Sequence, residues 1–341
     1  MSIPSPDTAF QIFVIPIGQW LHGIGVPSTF AISIHAYALC ILVGIIAAVI
    51  MTSKRLTARG AEPGVTLDII LWAIPLGIIG ARIFHVITHP DDYFAKGDDL
   101  LKTLYIWEGG LAIFGGLILG AVGVFIGCRI SGIRFWTFAD ALAPGLLLAQ
   151  AFGRFGNYFN HELFGLPTSA PWGLQIESTN PAYPIGLPAG VLFQPTFIYE
   201  IVWNVLGMIV ILVLARRLTL QWGKQLAVYL IWYGAGRIVW ENIRIDPSLI
   251  FFGLRTNVWV AILAVVLGIV IFAVQSRRHV GLEPSPYRTG REWVGPSAGV
   301  DSAETYTDTD EPGDAGKGNG ATSTSPGSKS TLATSTAGTS S

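Results

Sequence analysis

Side chains able to do chemistry are concentrated in two stretches of this chain. In GRFGNYFNHELFG, residues 153–165, Arg154, Asn157, Asn160, His161 and Glu162 crowd together, and Arg154, Asn157 and His161 share helical spacing. In YGAGRIVWENIR, residues 233–244, Tyr233, Arg237, Glu241 and Arg244 recur at i, i+4, i+8 and i+11. That spacing aligns them along one helical face. Both stretches lie in or beside long apolar runs, where an ionisable side chain costs about 3 kcal/mol to insert and therefore needs a partner or a function.

Each stretch has a purely structural account. Arg237 and Glu241 form an i, i+4 ion pair while Arg244 snorkels to the interface. Asn and Glu satisfy backbone groups freed where the first stretch leaves its helix. That explains one or two polar residues, not five. The stripe at 233–244 also carries one more cation than anion, and a surplus guanidinium suits a phosphate, which it grips through paired N–H donors. Two arginine sites on one side of a membrane would cradle a lipid headgroup, one near the phosphate and the other where charge develops during reaction.

The elements that must position these residues follow from composition. The chain has 341 residues, 51% hydrophobic and only 13% charged, with a mean hydropathy of +0.54; soluble domains carry about 25% charged residues. The fold expected is an all-α polytopic membrane protein. Runs long enough to cross the bilayer predict seven transmembrane helices near 31–52, 67–88, 108–128, 136–153, 195–215, 224–242 and 256–276. Lys54, Arg55 and Arg59, then Arg129 and Arg134, then Arg216, Arg217 and Lys224, and finally Arg277 and Arg278 follow alternate helices. Basic short loops favour the cytoplasm, which places the N-terminus outside and the C-terminus in the cytoplasm. Residues 1–30 then form an N-terminal segment outside, whose part around Phe10 to Leu21 is expected to lie along the interface as a short amphipathic helix. Residues 31–279 form the membrane domain, with an extracytoplasmic loop at about 154–194. Residues 280–341, rich in Gly, Ser and Thr, read as a disordered low-complexity cytoplasmic tail.

His35 and Tyr37 at the outer start of the first helix, and Arg82 near the outer end of the second, lie at the depth of the arginine clusters. They are candidates to line the same cavity, although each alone also reads as an interfacial anchor. Asp140, toward the inner side, reads as a structural hydrogen-bond acceptor. Gly109, Gly110, Gly115, Gly116 and Gly120 give small-residue faces, such as Gly116 with Gly120, for close helix packing. Cys40 and Cys128 read as small core residues. A net charge of -1 gives no basic stripe for nucleic acid, and no Cys, His and carboxylate set has metal-ligand spacing.

Taken in order, HAYAL, GARIFHV, EGGLAIFGG, GRFGNYFNHELFG, QPTFIYE and YGAGRIVWENIR resemble the bacterial prolipoprotein diacylglyceryl transferase family over about residues 31–275. The resemblance implies a multi-pass enzyme of the bacterial cytoplasmic membrane. Its partners would be phosphatidylglycerol and a prolipoprotein signal peptide carrying a lipobox cysteine, with thioether formation, release of glycerol phosphate and no cofactor. It also implies catalytic roles for Arg154 and Arg237, and site positions for Asn157, Asn160, Glu162, Tyr37, Tyr233, Glu241 and Arg244. Many members have a histidine, proposed as the base, where this chain has Phe114. Glu241, His161 and His35 are the remaining proton acceptors, and a field of arginines would itself lower the thiol pKa. A transporter or flippase for anionic lipids or solutes is the competing class, and it would need polar residues continuing to the cytoplasmic side.

Overall fold

Apolar runs interrupted by glycine, proline and charge give this chain long helices joined by short ribbons. The computed structural model describes residues 2–7, 10–24, 28–29, 31–94 and 99–293. Strand β1 (Ile12–Ile15), helix α1 (Ile17–Leu21) and strand β2 (Ile32–His35) lead into α2 (Ala36–Thr57). Helices α3 (Val65–Thr88), α4 (Asp91–Phe94), α5 (Ile113–Ile130) and α6 (Phe135–Phe159) follow. A two-stranded ribbon, β3 (Leu174–Gln175) with β4 (Leu192–Phe193), precedes α7 (Thr196–Arg217) and α8 (Lys224–Ile243). A hairpin of β5 (Ile250–Phe251) and β6 (Leu254–Arg255) then enters α9 (Thr256–Arg278).

Six of these helices, α2, α3, α5, α6, α7 and α9, are long and apolar enough to cross a membrane. Their outward faces are apolar, with Leu71 72% and Leu263 65% exposed, a surface matched to lipid rather than water. Helix α6 is the central one, since 56% of its apolar window is buried against 17–28% in the others. Helix α8 has 20 residues and carries Lys224, Arg237 and Glu241, so it falls short on apolarity.

Several boundaries differ from the sequence expectation, each for a local reason. The N-terminal segment is not a lone interfacial helix. Ile12–Ile15 are strand-forming residues that pair antiparallel with Ile32–His35, and Pro16 follows the strand as the N-cap of a helix of only five residues. That pairing delays the start of α2 to Ala36. Ile3 adds to the edge of β3 through Ile3 N–H to Gly173 O (2.9 Å) and Gln175 N–H to Ile3 O (2.8 Å), so the N-terminus lies with the 160–195 loop. Helix α5 begins only at Ile113, because Gly109 and Gly110 adopt positive φ of 93° and 70°.

The helices pack backbone to backbone at glycines. A Cβ on Gly80 would stand 2.3 Å from Gly115 O, and one on Gly123 would stand 2.5 Å from Trp72 O. The close α3–α5 face is therefore Gly115, Gly123 and Gly127. The predicted face, Gly116 and Gly120, meets α3 only at ordinary contact distances of 3.4 Å and 3.7 Å. Helices α7 and α8 lock through Trp203 and Trp232, stacked at 4.4 Å, each indole N–H donating to the other's backbone carbonyl at 3.1 and 3.0 Å.

At the opposite end of α6 from Arg154, Asp140 acts as the acceptor expected of it. It receives the backbone N–H groups of Gly223, Gln225 and Leu226 at 2.9–3.0 Å and so caps α8 from another helix. The expected tail boundary at 280 is overturned by residues 280–293. Tyr287 is 4% exposed and accepts Glu62 N–H at 2.9 Å, while Arg134 N–H donates to Pro286 O and Arg288 N–H to Gly132 O. One aromatic residue, Tyr287, gives this polar segment an anchor that composition averages away. The rest of the expected tail, 294–341, lies outside the described residues.

Because Gly80 faces carbonyl and Gly120 faces open packing, Gly80→Ala is expected to lower the thermal unfolding midpoint in detergent. Gly120→Ala is expected to leave it unchanged or raise it, since Ala is favoured over Gly by about 1 kcal/mol in helix propensity. Equal behaviour of the two variants would contradict this packing.

Candidate active site

Helix α6 ends at Phe159, within the polar stretch that begins at Arg154. Asn160 caps it, and His161 and Leu163 take positive φ of 52° and 60°, folding the chain back over the helix end. The side chains then satisfy one another. Arg154 donates to Asn157 Oδ1 (3.0 Å), and Asn157 Nδ2 and Asn160 Nδ2 both donate to Glu162 Oε1 (2.8 and 3.3 Å). Gly156 leaves room for the ring of Tyr37, whose Cδ2 would lie 2.4 Å from a Cβ there. Tyr37 also interacts electrostatically with Glu162 and Arg154.

The second stretch closes around Glu241, which has no exposed surface. Its carboxylate lies 3.0 Å from Arg237, 3.3 Å from Arg255 and 4.0 Å from Arg244, and it accepts Asn257 Nδ2 at 2.9 Å. Arg255, reaching back from β6, donates to the backbone carbonyls of Glu241 (2.7 Å) and Arg244 (3.0 Å). It thus satisfies carbonyls that the end of α8 leaves without helical partners. Arg244 is fixed by Asp246 at 2.7 Å.

Backbone hydrogen bonds join the two stretches. Leu166 N–H donates to Ile243 O at 2.9 Å, and Gly165 N–H to Gln194 O at 2.9 Å. A Cβ on Gly165 would come to 3.0 Å from Gln194, Ile243 and Thr196 at once. Arg154 consequently interacts electrostatically with Arg237, Arg244 and Tyr233, so the two arginine groups share one neighbourhood inside the helix bundle.

Glu200 on α7 is the group that sequence reasoning missed. It is 5% exposed and pairs with Arg154 at 2.7 Å. It lies within QPTFIYE, inside a run read as a span, and the rule that a charge in a span needs a reason would have found it. Arg255 was likewise passed over, because it sits in a hairpin outside the apolar runs. With these two and Asp246, the surplus cation disappears. Four guanidiniums (Arg154, Arg237, Arg244, Arg255) stand with four carboxylates (Glu162, Glu200, Glu241, Asp246). The carboxylates orient the forks, and an arriving anion competes with them for donors.

Of the expected cavity residues, Arg82 is used elsewhere and His35 is exposed. Arg82 spends its guanidinium on the backbone carbonyls of Lys102, Thr103, Gly109 and Gly110, at 2.6–3.0 Å, and lies 5.0 Å from the ring centre of Tyr93. It clamps the loop before α5. His35 is exposed at the end of β2, paired in register with Ile12. Of the other proton acceptors, His161 is bonded to Glu177 Oε2 at 3.0 Å and Glu241 is enclosed by arginines. Phe114 packs against Phe84 at 6.1 Å. Among the described residues no three His, Cys, Asp or Glu side chains group as metal ligands.

Residues 26–274 match the family described as Prolipoprotein diacylglyceryl transferase. A protein of Leifsonia xyli named phosphatidylglycerol–prolipoprotein diacylglyceryl transferase is 60% identical over 311 residues, covering 89% of this chain and 90% of that protein. A similarly named Streptomyces coelicolor protein is 45% identical over 256 residues, 74% of this chain and 79% of the relative. One from Bifidobacterium longum is also 45% identical, covering 71% and 80%. With the matched region spanning both arginine stretches and most of the chain, the protein belongs to the prolipoprotein diacylglyceryl transferase family.

Proposed function

We propose that this chain transfers the diacylglyceryl group of phosphatidylglycerol to the lipobox cysteine of prolipoproteins, with Arg154 and Arg237 as the catalytic cations. The observation that supports this reading is that Arg154 on α6 lies within electrostatic range of Arg237 and Arg244 from α8, in stretches joined by the Leu166–Ile243 backbone bond. The cysteine thiolate attacks the glycerol carbon that bears the phosphate. A C–S bond forms, the C–O bond breaks, and its electron pair leaves on glycerol phosphate. Arg154 and Arg237 stabilise the charge gathering on the departing phosphate. Tyr37, Asn157, Asn160, Glu162, Tyr233 and Arg244 shape the headgroup site, and Glu200 and Glu241 hold the guanidinium forks in position.

In this reading α8 is a seventh span, its polar face turned into the bundle against α6 and α7 and its tryptophans locking it to α7. The ends carrying Arg55, Arg129, Arg216 and Arg277 face the cytoplasm, and the Arg154 cluster and the N-terminus face outward. The enzyme resides in the bacterial cytoplasmic membrane. This reading assigns no side chain to the role of the histidine that Phe114 replaces. Guanidinium N–H groups turned toward the incoming cysteine instead favour its thiolate by donating to it, and water takes up the proton.

Full-length protein in phosphatidylglycerol vesicles with a lipobox peptide is expected to give thioether-linked diacylglycerol by mass spectrometry with cysteine, and none with serine at the acceptor position. No product from the cysteine peptide, where a family relative yields it, would sink the assignment. Arg154→Ala and Arg237→Ala are each expected to reduce turnover at least about 100-fold. Arg154→Lys should remain severely impaired because a point charge cannot replace a fork.

The rate should rise with pH and level off below the free-thiol pKa of about 8.5, since nearby cations favour the thiolate. Arg237→Gln is expected to move that plateau to higher pH; an unmoved plateau in the variant would remove its guanidinium from thiol activation.

A further inference from the structure

About 30 Å along α6 from Arg154, at 1.5 Å per residue, a second cationic site opens at the other end of the bundle. A cavity of about 500 Å³ is lined by Arg129, Arg134 and Arg288, with Phe125 and Trp222 among its walls and Glu283 as its acidic member. The carboxylate of Glu283 is already committed, accepting Thr137 Oγ1 at 2.6 Å and Trp222 N–H at 3.1 Å. The three guanidiniums outnumber it.

Arg134 is held as a fork. Its Nε donates to Tyr287 O at 2.7 Å and its guanidinium carbon lies 5.4 Å from the Trp222 ring centre. No described hydrogen bond engages its two terminal nitrogens or the side chains of Arg129 and Arg288. The anchored segment 283–289 supplies one wall, with Arg288 N–H fixed to Gly132 O at 2.8 Å. Phe135, the first residue of α6, lines the cavity as well, so the positive end of a 25-residue helix dipole stands at its edge.

The flank of α5 points to the kind of anion. Ile118, Val122, Phe125 and Arg129 follow at i, i+4, i+7 and i+11 on one face, and the first three are 61%, 43% and 49% exposed. An exposed apolar stripe thus ends at a cation on the cavity rim, which fits an acyl chain above a phosphate. Free phosphate would leave both the stripe and most of the cavity unused.

We propose that this cavity binds the phosphate of an anionic glycerophospholipid in the leaflet opposite the Arg154 cluster, which is the cytoplasmic leaflet in the orientation proposed above. The lipid's phosphate is gripped by Arg134 with Arg129 and Arg288, and a chain lies along α5. Occupancy braces the 283–289 segment against the ends of α5 and α6.

The test measures binding of dioleoyl phosphatidic acid to delipidated full-length protein by native mass spectrometry, in an Arg154→Ala/Arg237→Ala background that removes the other arginine site. Dioleoyl phosphatidylcholine and glycerol 3-phosphate serve as comparison arms. One phosphatidic acid per chain is expected, weakened at least about tenfold by Arg134→Gln/Arg288→Gln and less by the double Lys variant. Neither comparison ligand should match it. Unchanged affinity in the double Gln variant overturns the proposal, and glycerol 3-phosphate binding as tightly as the lipid reassigns the site to a soluble phosphate. Should the double variant fail to fold, Arg129→Gln, whose side chain makes no described hydrogen bond, must by itself weaken phosphatidic acid binding. The readout needs no transfer reaction, so a failed transfer assay would leave this result standing.

Discussion

A fully buried carboxylate surrounded by three guanidiniums is the interaction on which this structure turns. Charges removed from water are tolerated only when they are compensated. Glu241 is compensated by ion pairs with Arg237, Arg244 and Arg255 and by a hydrogen bond from Asn257 to Oε1, while Oε2 has ion-pair partners but no hydrogen bond. The requirement reaches outward. Arg255 can take part only if the β5–β6 hairpin returns to the end of α8, and in doing so it satisfies the carbonyls of Glu241 and Arg244. One ion cluster therefore fixes a helix terminus, a hairpin and the start of α9.

The same logic runs through α6. Arg154 is compensated by Glu200 from α7 and by Asn157 from its own helix, and the 160–166 turn brings Leu166 onto the last turn of α8. Preorganised donors of this kind act without reorganising when charge develops nearby. Their placement needs helices that do not slide, which the reciprocal Trp203–Trp232 bonds provide between α7 and α8. Close glycine contacts do the same between α3 and α5.

At the other end of the bundle, polar residues serve the architecture. Asp140 caps α8 from α6, and Arg55 bonds the backbone carbonyls of Asp140 and Ala141. Tyr287 seals the junction against Glu62 N–H. That end of the bundle thus holds capping and clamping groups rather than a continuing row of charges from the Arg154 cluster. That arrangement favours a site open to one side over a path through the bundle.

The sequence by itself determined where the long helices run, because apolar length against a fixed bilayer thickness is a local property. It also determined the α8 stripe and the Arg154–Asn157 pair, since 3.6-residue periodicity alone places those side chains together, whereas Asn160, His161 and Glu162 lie beyond the helix end, where the fold-back of the chain places them. Only tertiary structure decided what depends on partners distant in the chain. Glu200 completed Arg154, Arg255 joined Glu241, and Arg82 turned to its own loop. Gly115 proved to make a closer approach to α3 than Gly116, and Tyr287 anchored a segment whose composition reads as disorder. A side chain's neighbours across a helix interface depend on rotation and depth to within one residue, and no pattern along a single strand of sequence encodes that rotation.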